Sequence, residues 1–420
     1  MDETAFPILL VEMARRENTL NADQLKRLWP MVRRAAGYIV QNGPATPQDR
    51  WEEDAGFSPF TLAVEIASLL AAADLADQFS EPGIAQYLRE TADMWNDQVE
   101  RWTYVTGTEI ANKLGVDGYY VRISPPDVAE SASLSQGFVP IKNRPASQSE
   151  EPVTQIVSPD ALALVRFGLR APDDRRILST IKVIDAELKV DTPSGPAWHR
   201  YNDDGYGEHD DGSPFDGTGK GRAWPLLTGE RAHYELAAGN RKGALRLLKA
   251  MDSFANKGGM LPEQIWDTDD IPDMELYFGH PSGSAMPLVW AHAEYAKLCH
   301  SLQDGQVFDM PEQTRKRYLE QNTCSKFGGW RFKQQIQTLP AGHPLRIEVL
   351  KPARVHWSQN DWKKINDTPT KASGLGVYYV DLPFEKLAPG TVIKFTFYWP
   401  DEDRWEGRDF SITVAKNNGG

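Results

Sequence analysis

Residues 59–76 read PFTLAVEIASLLAAADLA, and nearly all of these side chains are apolar or small. Such a run predicts a helix that is buried on most of its surface. Helical periodicity continues on both sides, with apolar residues three or four positions apart in Leu20 to Val40 and in Gly83 to Glu100. The first three hundred residues are therefore predicted to be mainly α-helical.

The helical segments come in pairs that are separated by long polar loops. Further helical segments are predicted at 6–12, 159–168, 173–188, 224–238, 242–253 and 282–301, and long loops at 106–152, 193–222 and 257–280. Loops of this length inside a compact domain are usually functional. The pattern predicts an array of helical hairpins whose loops gather at one end.

The pattern changes after about residue 304. Apolar and polar residues alternate with a period of two in four short stretches, at 345–350, 376–380, 392–398 and 410–414. This alternation predicts a small antiparallel β-sandwich. The predicted organisation is a helical domain at 1–305, a linker at 306–339 and a β-sandwich module at 340–420. Four tryptophans of the module form either its core, which is favoured, or a sugar-binding platform; they are Trp357, Trp362, Trp399 and Trp405.

Composition excludes some classes of function. A formal net charge of −13 and a pI near 5.2 argue against binding to nucleic acid. We count no apolar run as long as the ~18 residues that a membrane span requires. The chain has an excess of aromatic residues, with 13 Trp, 14 Tyr and 16 Phe. Flat aromatic rings pack against the C–H faces of sugars, so the excess is typical of carbohydrate-binding proteins. A large aromatic core is the alternative explanation. Cys299 and Cys324 either form a bridge or stay free.

Two acidic turns carry the candidate chemistry. Residues 48–53 read QDRWEE and residues 261–266 read LPEQIW, so each turn sets a carboxylate near a tryptophan. A carboxyl group against an indole face loses hydration, which raises its pKa. A second carboxylate across a pocket completes the acid and base pair that glycoside hydrolysis needs. The alternative is that these are ordinary surface acids among 59 Asp and Glu.

Four segments, in order along the chain, resemble the glucoamylase and glucodextranase family of inverting glycoside hydrolases, family 15. They are Asp49–Glu53 with Phe57–Thr61, His199–Gly207, Gly219–Arg231, and Pro262–Gln264 with Ser282–Ala285 and Trp290. The resemblance covers roughly residues 1–305 and implies an (α/α)6 barrel, mainly α, followed by the small β-sandwich.

The resemblance also implies roles for residues in these segments. Glu52 corresponds to the general acid, kept protonated by Trp51 and by the like charge of Glu53, and Glu263 corresponds to the general base. Arg200 would offer a fork of donors to sugar hydroxyls, with a structural salt bridge to Asp203 or Asp204 as the alternative. The residues implied in substrate binding are Trp51, Glu53, Arg200, Tyr201, Asp204, Tyr206 and Trp224.

The implied activity is exo-hydrolysis of α-glucan oligo- or polysaccharides with release of β-D-glucose. No cofactor and no metal ligand are predicted. A calcium site is the less favoured interpretation of four loop carboxylates, which are more simply solvated; they are Asp203, Asp204, Asp210 and Asp211.

The chain departs from the family in its number of helical hairpins. About four hairpins are counted where a complete barrel has six, and no counterpart is found for the family's upstream Arg-Asp segment. We therefore expect the C-terminal portion of a longer enzyme, or a companion chain or second copy that completes the barrel. The alternatives are a catalytically incomplete carbohydrate-binding remnant, a trehalase-like hydrolase and a disaccharide phosphorylase. The resemblance suggests secreted or periplasmic localisation, although Met1-Asp2-Glu3 does not begin a signal peptide.

Overall fold

The structure is a computed structural model that describes residues 1–127 and 134–415. The described residues form two compact units. One contains residues 1–44 and 64–98 together with the chain from residue 322 onward, and the other contains residues 45–63 and 99–321. This grouping differs from the predicted boundaries at 305 and 340, because the first helices belong with the C-terminal strands.

Helices dominate the first three hundred residues, as predicted. The α-helices among the described residues are α1 (Asp2–Arg16), α2 (Ala22–Asn42), α3 (Pro59–Gln78), α4 (Pro82–Asn96), α5 (Val99–Thr103), α6 (Glu109–Leu114), α7 (Leu162–Arg166), α8 (Arg175–Glu187), α9 (Pro225–Ala237), α10 (Arg241–Phe254), α11 (Val289–Asp304) and α12 (Glu312–Thr314). Hairpins α1–α2 and α9–α10 lie where the periodicity predicts them, and α11 packs against both α9 and α10.

The first hairpin is well defined by its sequence. Helix α2 begins with a capping box, in which the Asn21 side chain accepts from the Gln24 N–H and the Gln24 side chain accepts from the Asn21 N–H. Its buried face includes Leu25, Trp29 and Val32, at the spacing of one helical stripe. Helix capping and amphipathicity thus agree on where α2 begins and which side it buries.

Helix α3 is the one helix in the described ranges that is long and apolar enough, by length and composition, to cross a membrane. This corrects the sequence-based count, which recognised no such run. In the structure 94% of the 18-residue apolar stretch of α3 is buried inside the protein. Burial of this extent is what the core helix of a globular domain shows, and it agrees with the predicted buried helix.

Two predicted helices have different limits. The segment 83–100 is divided between α4, which ends at Asn96, and α5, which starts at Val99. The segment 282–301 becomes helical only at Val289. Residues before that pair with residues 261–264 instead, and Pro287 disfavours helix at the residue preceding it.

Short antiparallel hairpins occur in the long loops, in the unit that contains residues 99–321. They are β1 (Tyr104–Thr106) with β2 (Gly118–Tyr120), β3 (Phe138–Pro140) with β4 (Glu150–Pro152), and β5 (Lys189–Thr192) with β6 (Gly195–Trp198). The described parts of these loops are therefore structured.

The C-terminal strands form two sheets around one core. Their strands are β7 (Gly328–Arg331), β8 (Thr338–Leu339), β9 (Leu345–Val349), β10 (Arg354–Ser358), β11 (Asn366–Pro369), β12 (Lys371–Ala372), β13 (Tyr378–Leu382), β14 (Val392–Trp399), β15 (Arg404–Trp405) and β16 (Phe410–Val414). One sheet has the order β11-β10-β14-β16-β8, with β15 beside β14, and the other has the order β12-β13-β9-β7. The four predicted strands are confirmed as β9, β13, β14 and β16.

The structure corrects two details of the predicted β-sandwich. Strands β7 and β8 lie within the segment 306–339 that the sequence assigned to a linker. Each of them pairs in parallel, β7 with β9 and β8 with β16, so the sandwich is not purely antiparallel. Trp330 on β7 is almost fully buried in the core between the sheets, which explains why this short segment belongs to the domain. Trp357 and Trp399 also belong to that core, as favoured.

Candidate active site

Residues 49–54, here called the acid loop, form a tight turn that is organised by Asp49. The Asp49 Oδ1 accepts the backbone N–H groups of Trp51 and Glu53, both at 3.1 Å. The Glu52 N–H donates to the Asp49 carbonyl at 2.9 Å. Glu52 itself has φ 60°, in the left-handed region that non-glycine residues rarely occupy. Strained conformations of this kind persist where surrounding contacts impose them, and they concentrate at functional sites.

A buried arginine, Arg122, ties this loop together. Its Nη2 lies 2.7 Å from Asp49 Oδ2 and 2.8 Å from Glu53 Oε2, and its Nη1 lies 2.9 Å from Asp54 Oδ2. The Arg122 side chain is fully buried, and the Tyr201 ring packs 4.0 Å from its guanidinium carbon. Burial alone would lower the pKa of Arg122, but the neighbouring carboxylates raise it, so the group stays charged.

Sequence reasoning missed Arg122. It stands in YYVRIS, residues 119–124, where a single charge interrupts an otherwise mostly apolar run. A charge at a position of that kind is almost never buried without partners. This isolated charge is the signal in the sequence, and a search for acidic residues that could pair with it would have identified Arg122.

Glu53 is a buried carboxylate at the centre of the site. It accepts from the Tyr201 hydroxyl at 2.6 Å on Oε2 and from Arg200 Nη2 at 3.0 Å on Oε1. Burial raises the pKa of Glu53, and the charges of Arg200 and Arg122 and the Tyr201 hydroxyl oppose this shift. Glu53 therefore connects the acid loop to the segment that holds residues 200–206.

The structure corrects the predicted environment of Glu52. The sequence suggested that its carboxyl group loses hydration against the Trp51 indole, but the Glu52 side chain is exposed. The Trp51 ring packs instead against Trp224 at 5.2 Å and Trp290 at 5.5 Å. Because Glu52 adopts a left-handed backbone conformation, consecutive side chains of the loop leave it in different directions.

Arg200 forms the salt bridge that was considered as an alternative to sugar binding. Its Nε and Nη2 donate to the two carboxylate oxygens of Asp204, both at 2.7 Å. Asp203 is engaged elsewhere, with Arg144 at 2.9 Å. A side chain at Gly221 would bring its Cβ within 2.5 Å of the Asp204 carboxyl carbon, so glycine is required there. In the described ranges no residue accepts from Arg200 Nη1, which leaves one nitrogen of the fork for another acceptor.

Glu263 is connected to the same network through Tyr206. The Tyr206 N–H donates to Asp204 at 2.9 Å, and its hydroxyl donates to Glu263 Oε2 at 3.3 Å. Burial raises the pKa of the half-buried Glu263, whereas the Tyr206 hydroxyl and Arg200 lower it. A continuous path of hydrogen bonds thus joins the two predicted acidic turns, through Glu53, Arg200, Asp204, Tyr206 and Glu263.

The backbone around Glu263 is held by pairing with residues 282–288. The Glu263 N–H donates to the Ala285 carbonyl at 2.8 Å, and the Leu288 N–H donates to the Leu261 carbonyl at 2.9 Å. The Gln264 side chain donates to the Tyr206 carbonyl at 2.9 Å. Residues 261–264, here called the base segment, are therefore positioned mainly by backbone hydrogen bonds.

Aromatic rings surround the Arg200 guanidinium. Its central carbon lies 5.0 Å from the Tyr206 ring, 5.1 Å from Trp51, 5.3 Å from Tyr201 and 5.6 Å from Trp224. The structure therefore brings all of the residues predicted to bind substrate into one cluster. Rings and a charged fork of donors in one place suit a ligand that has apolar faces and polar edges.

The four loop carboxylates considered for calcium do not converge. Asp210 lies near Lys220 and Arg222, and Asp211 accepts from Ser213, while Asp203 and Asp204 have the arginine partners described above. Within the part of the chain that the structure describes, no three side chains of His, Cys, Asp and Glu form a possible metal site. Cys299 and Cys324 are both free thiols.

Comparisons with known proteins agree with this arrangement. The model of the glycosyl hydrolases family 15 matches residues 1–300. A glucoamylase of Clostridium sp. (strain G0005) is 42% identical over 320 residues, which are 76% of this chain and 41% of that protein. A crystal structure of a bacterial glucoamylase complexed with acarbose has a TM-score of 0.66 and 41% identity, and the match covers 76% of this chain and 43% of that one.

A shorter match is to a cycloisomaltooligosaccharide glucanotransferase of Niallia circulans, 29% identical over 141 residues, or 30% of this chain and 14% of that protein. The chain spans less than half the length of these relatives. The structural match to the bacterial glucoamylase and the helical hairpins confirm the predicted fold class, a mainly α (α/α)6 barrel type followed by a β domain. The resemblance stated from the sequence motifs is confirmed as well.

Proposed function

Because the chain belongs to family 15 of the glycosyl hydrolases, we propose that it acts on α-glucans as an inverting exo-hydrolase that releases β-D-glucose from non-reducing ends. The observation that carries the proposal is the path of hydrogen bonds that links the acid loop to Glu263 through Arg200 and Tyr206. This path joins two carboxylate-bearing turns that are far apart in sequence, beside one cluster of aromatic rings.

In the proposed reaction Glu52 is the general acid. It donates its proton to the glycosidic oxygen as the bond from that oxygen to the anomeric carbon breaks. Glu52 is exposed and lies on the left-handed turn that Asp49 fixes, so its carboxyl group is accessible to a ligand. The Glu52 carbonyl accepts from Lys142 Nζ and from Gln48 Nε2, each at 3.2 Å, which further fixes the backbone.

Glu263 is the proposed general base. It removes a proton from a water molecule whose oxygen attacks the anomeric carbon from the face opposite to the leaving group, so the configuration inverts. Burial favours a higher pKa at Glu263 and so strengthens it as a base once it is ionised. An inverting enzyme requires about 6.5–9.5 Å between its two carboxyl groups, which leaves room for that water.

Arg200 and the rings around it are proposed to bind the sugar at the cleaved bond. The free Nη1 of Arg200 would donate to a hydroxyl, while Asp204 and Glu53 hold the rest of the guanidinium in place. Tyr201, Tyr206 and Trp224 would line the path of the glucan. We assign α-1,4 linkages as the preferred substrate, because the relative that is 42% identical is a glucoamylase and a similar glucoamylase binds acarbose.

The stereochemical course tests this proposal. Proton NMR of the fresh product from an α-linked glucoside should show β-glucose before mutarotation. The Glu263→Gln variant is the control, since it should release neither anomer at a measurable early rate. An initial excess of α-glucose would overturn the inverting assignment, and a faster reaction with isomaltose than with maltose would overturn the α-1,4 preference.

We also propose that the active form includes a companion, either a chain carrying further hairpins or a second copy. Leu10 on α1 is 61% exposed and Val289 on α11 is 78% exposed, and a companion would cover such apolar side chains. Measuring the mass in solution and glucose release from maltose for the purified chain tests this. A monomer with full activity would contradict it.

A further inference from the structure

A strip of aromatic rings lies on the C-terminal β domain. The rings of His356 and Trp362 stack with centroids 5.4 Å apart and planes inclined by 22°. The Trp405 ring lies 5.1 Å from His356 and 5.4 Å from Tyr398. These four residues are called the aromatic strip. Three strands, β10, β14 and β15, and the turn after β10 contribute to it.

The strip faces away from the core of the domain. His356 lies between the buried residues Val355 and Trp357 on β10. Because side chains alternate between the two faces of a strand, His356 lies on the outer face of this sheet. The same alternation places Tyr398 on the outer face, and Trp405 is its direct cross-strand partner. These rings therefore do not serve the hydrophobic core.

Trp405 is 48% exposed. Leaving so large an apolar side chain in water forgoes the stabilisation that its burial would provide, and clustered exposed aromatic residues mark binding surfaces more often than isolated ones do. Tryptophan also offers a rigid contact area at low cost in side-chain entropy, because it has only two side-chain torsions. These properties favour a ligand that lies flat on the rings.

The turn that carries Trp362 is preorganised. Ser358 Oγ is buried and accepts from the Trp362 N–H at 3.0 Å, while Asn360 Oδ1 accepts from the Lys364 N–H at 2.8 Å. Trp362 itself has φ 64°, a left-handed conformation that these contacts maintain. These contacts thus fix the backbone from which the Trp362 ring stacks on His356.

The polar groups near the strip indicate a neutral ligand. Lys394 pairs with Asp361 at 2.5 Å, Arg404 with Glu402 at 2.5 Å, and His356 Nδ1 with Asp367 at 3.0 Å. An ionic ligand that engaged these groups would have to displace an existing partner. The other ring nitrogen of His356 has no hydrogen-bond partner in the described ranges, so it is available to a hydroxyl group.

We propose that the aromatic strip is a non-catalytic binding site for α-glucan chains. Sugar rings present C–H faces that pack on aromatic rings, and their hydroxyl edges would reach His356 Nε2 and the neighbouring carboxylates. The choice of α-glucan among carbohydrates rests on the proposed function. Binding at this site would retain the protein on a polymeric substrate between cleavage events.

The test uses the whole chain with the substitution Glu52→Gln, so that bound glucan is not consumed. Migration in native gels that contain amylopectin measures binding, with a gel lacking polysaccharide as the reference. Trp405→Ala and Trp362→Ala should each weaken retardation roughly tenfold, as removal of a tryptophan anchor from an interface does. The matched control is Leu350→Ala, which removes an exposed side chain of the same domain and should bind as the parent does.

A second experiment separates this inference from the proposed function. In the chain that retains Glu52, the double variant Trp362→Ala with Trp405→Ala should hydrolyse maltotriose at the parent rate and insoluble starch more slowly. If no substrate is cleaved but retardation by amylopectin still depends on the two tryptophans, the binding site stands and the catalytic proposal fails.

If the double variant is retarded as much as the parent, the proposed binding site is wrong. It is also wrong if the parent itself is not retarded, which is the result expected if the strip binds another protein instead. Trp405→Phe, which keeps a ring, should bind more strongly than Trp405→Ala. Because these rings are outside the core, melting temperatures of all variants should stay near that of the parent, and Trp405→Phe preserves the test if Trp405→Ala does not fold.

Discussion

The two halves of the candidate site are built differently. The acid loop is held by buried charges: Arg122 pairs with Asp49, Glu53 and Asp54, and Arg50 beside it pairs with Asp160 and Glu230. The base segment is held by backbone hydrogen bonds to residues 282–288 and by one contact of its carboxylate with the Tyr206 hydroxyl. Buried ion pairs hold a strained turn strongly, but the loss of any one partner leaves an uncompensated buried charge.

This difference has a consequence for the proposed chemistry. Buried ion pairs hold the backbone of the acid loop, so that the exposed Glu52 does not depend on its own contacts for position. Glu263 is itself half-buried, and its pKa depends directly on its neighbours. We therefore expect substitutions around the acid loop to affect folding and those around the base segment to affect the pH dependence of catalysis.

The largest effect should come from the two carboxylates themselves. Glu52→Gln should lower kcat on maltose by about 10²–10⁴-fold but spare much of the rate on α-glucosyl fluoride, whose leaving group needs little protonation. Glu263→Gln should lower the rate on both substrates alike, because both need the activated water. Equal and mild losses in the two variants would show that these are surface acids, as the alternative interpretation of the sequence holds.

The second effect concerns Arg122. Arg122→Met should reduce the free energy of unfolding by about 3–5 kcal/mol, since it leaves buried Asp49 and Asp54 without their cation and Glu53 with Arg200 alone. The matched control is Arg144→Met, which removes the more exposed pair with Asp203 and should cost at most about 1 kcal/mol. Urea unfolding followed by tryptophan fluorescence compares the two variants. Similar stability losses in both would contradict the view that buried charges hold the acid loop.

The sequence predicted the pattern of helical hairpins and four C-terminal strands because each follows from local periodicity. It also predicted that the two acidic turns come together, since those turns carry motifs that resemble a family. Arg122 escaped because its partner Asp49 is 73 residues away in sequence. Strand β7 escaped because it is short and pairs in parallel with β9, not in an antiparallel hairpin. The exposure of Glu52 depends on its left-handed backbone, which neighbouring residue types do not reveal.

The smallest expected effect is a shift in the pH dependence of catalysis, and it tests how the base segment differs from the acid loop. The Tyr206 hydroxyl lowers the pKa of Glu263, so its removal in Tyr206→Phe should raise that pKa further. Because the base must be ionised, the acid limb of the profile of kcat/KM against pH should move to higher pH. The position of that limb, measured on maltose from pH 3 to 8 with buffers of constant ionic strength, reports the pKa in the free enzyme.

Tyr201→Phe is the matched control for this shift, because its hydroxyl donates to Glu53 rather than to Glu263. Its loss should raise the pKa of Glu53 and weaken the acid loop, while the acid limb assigned to Glu263 stays in place. If the limb moves equally in both variants, the titration belongs to the connected network of Glu53, Arg200 and Glu263 and not to the base segment alone. If it moves in neither, Glu263 is not the group whose ionisation limits the reaction at low pH, and its assignment as the base is wrong.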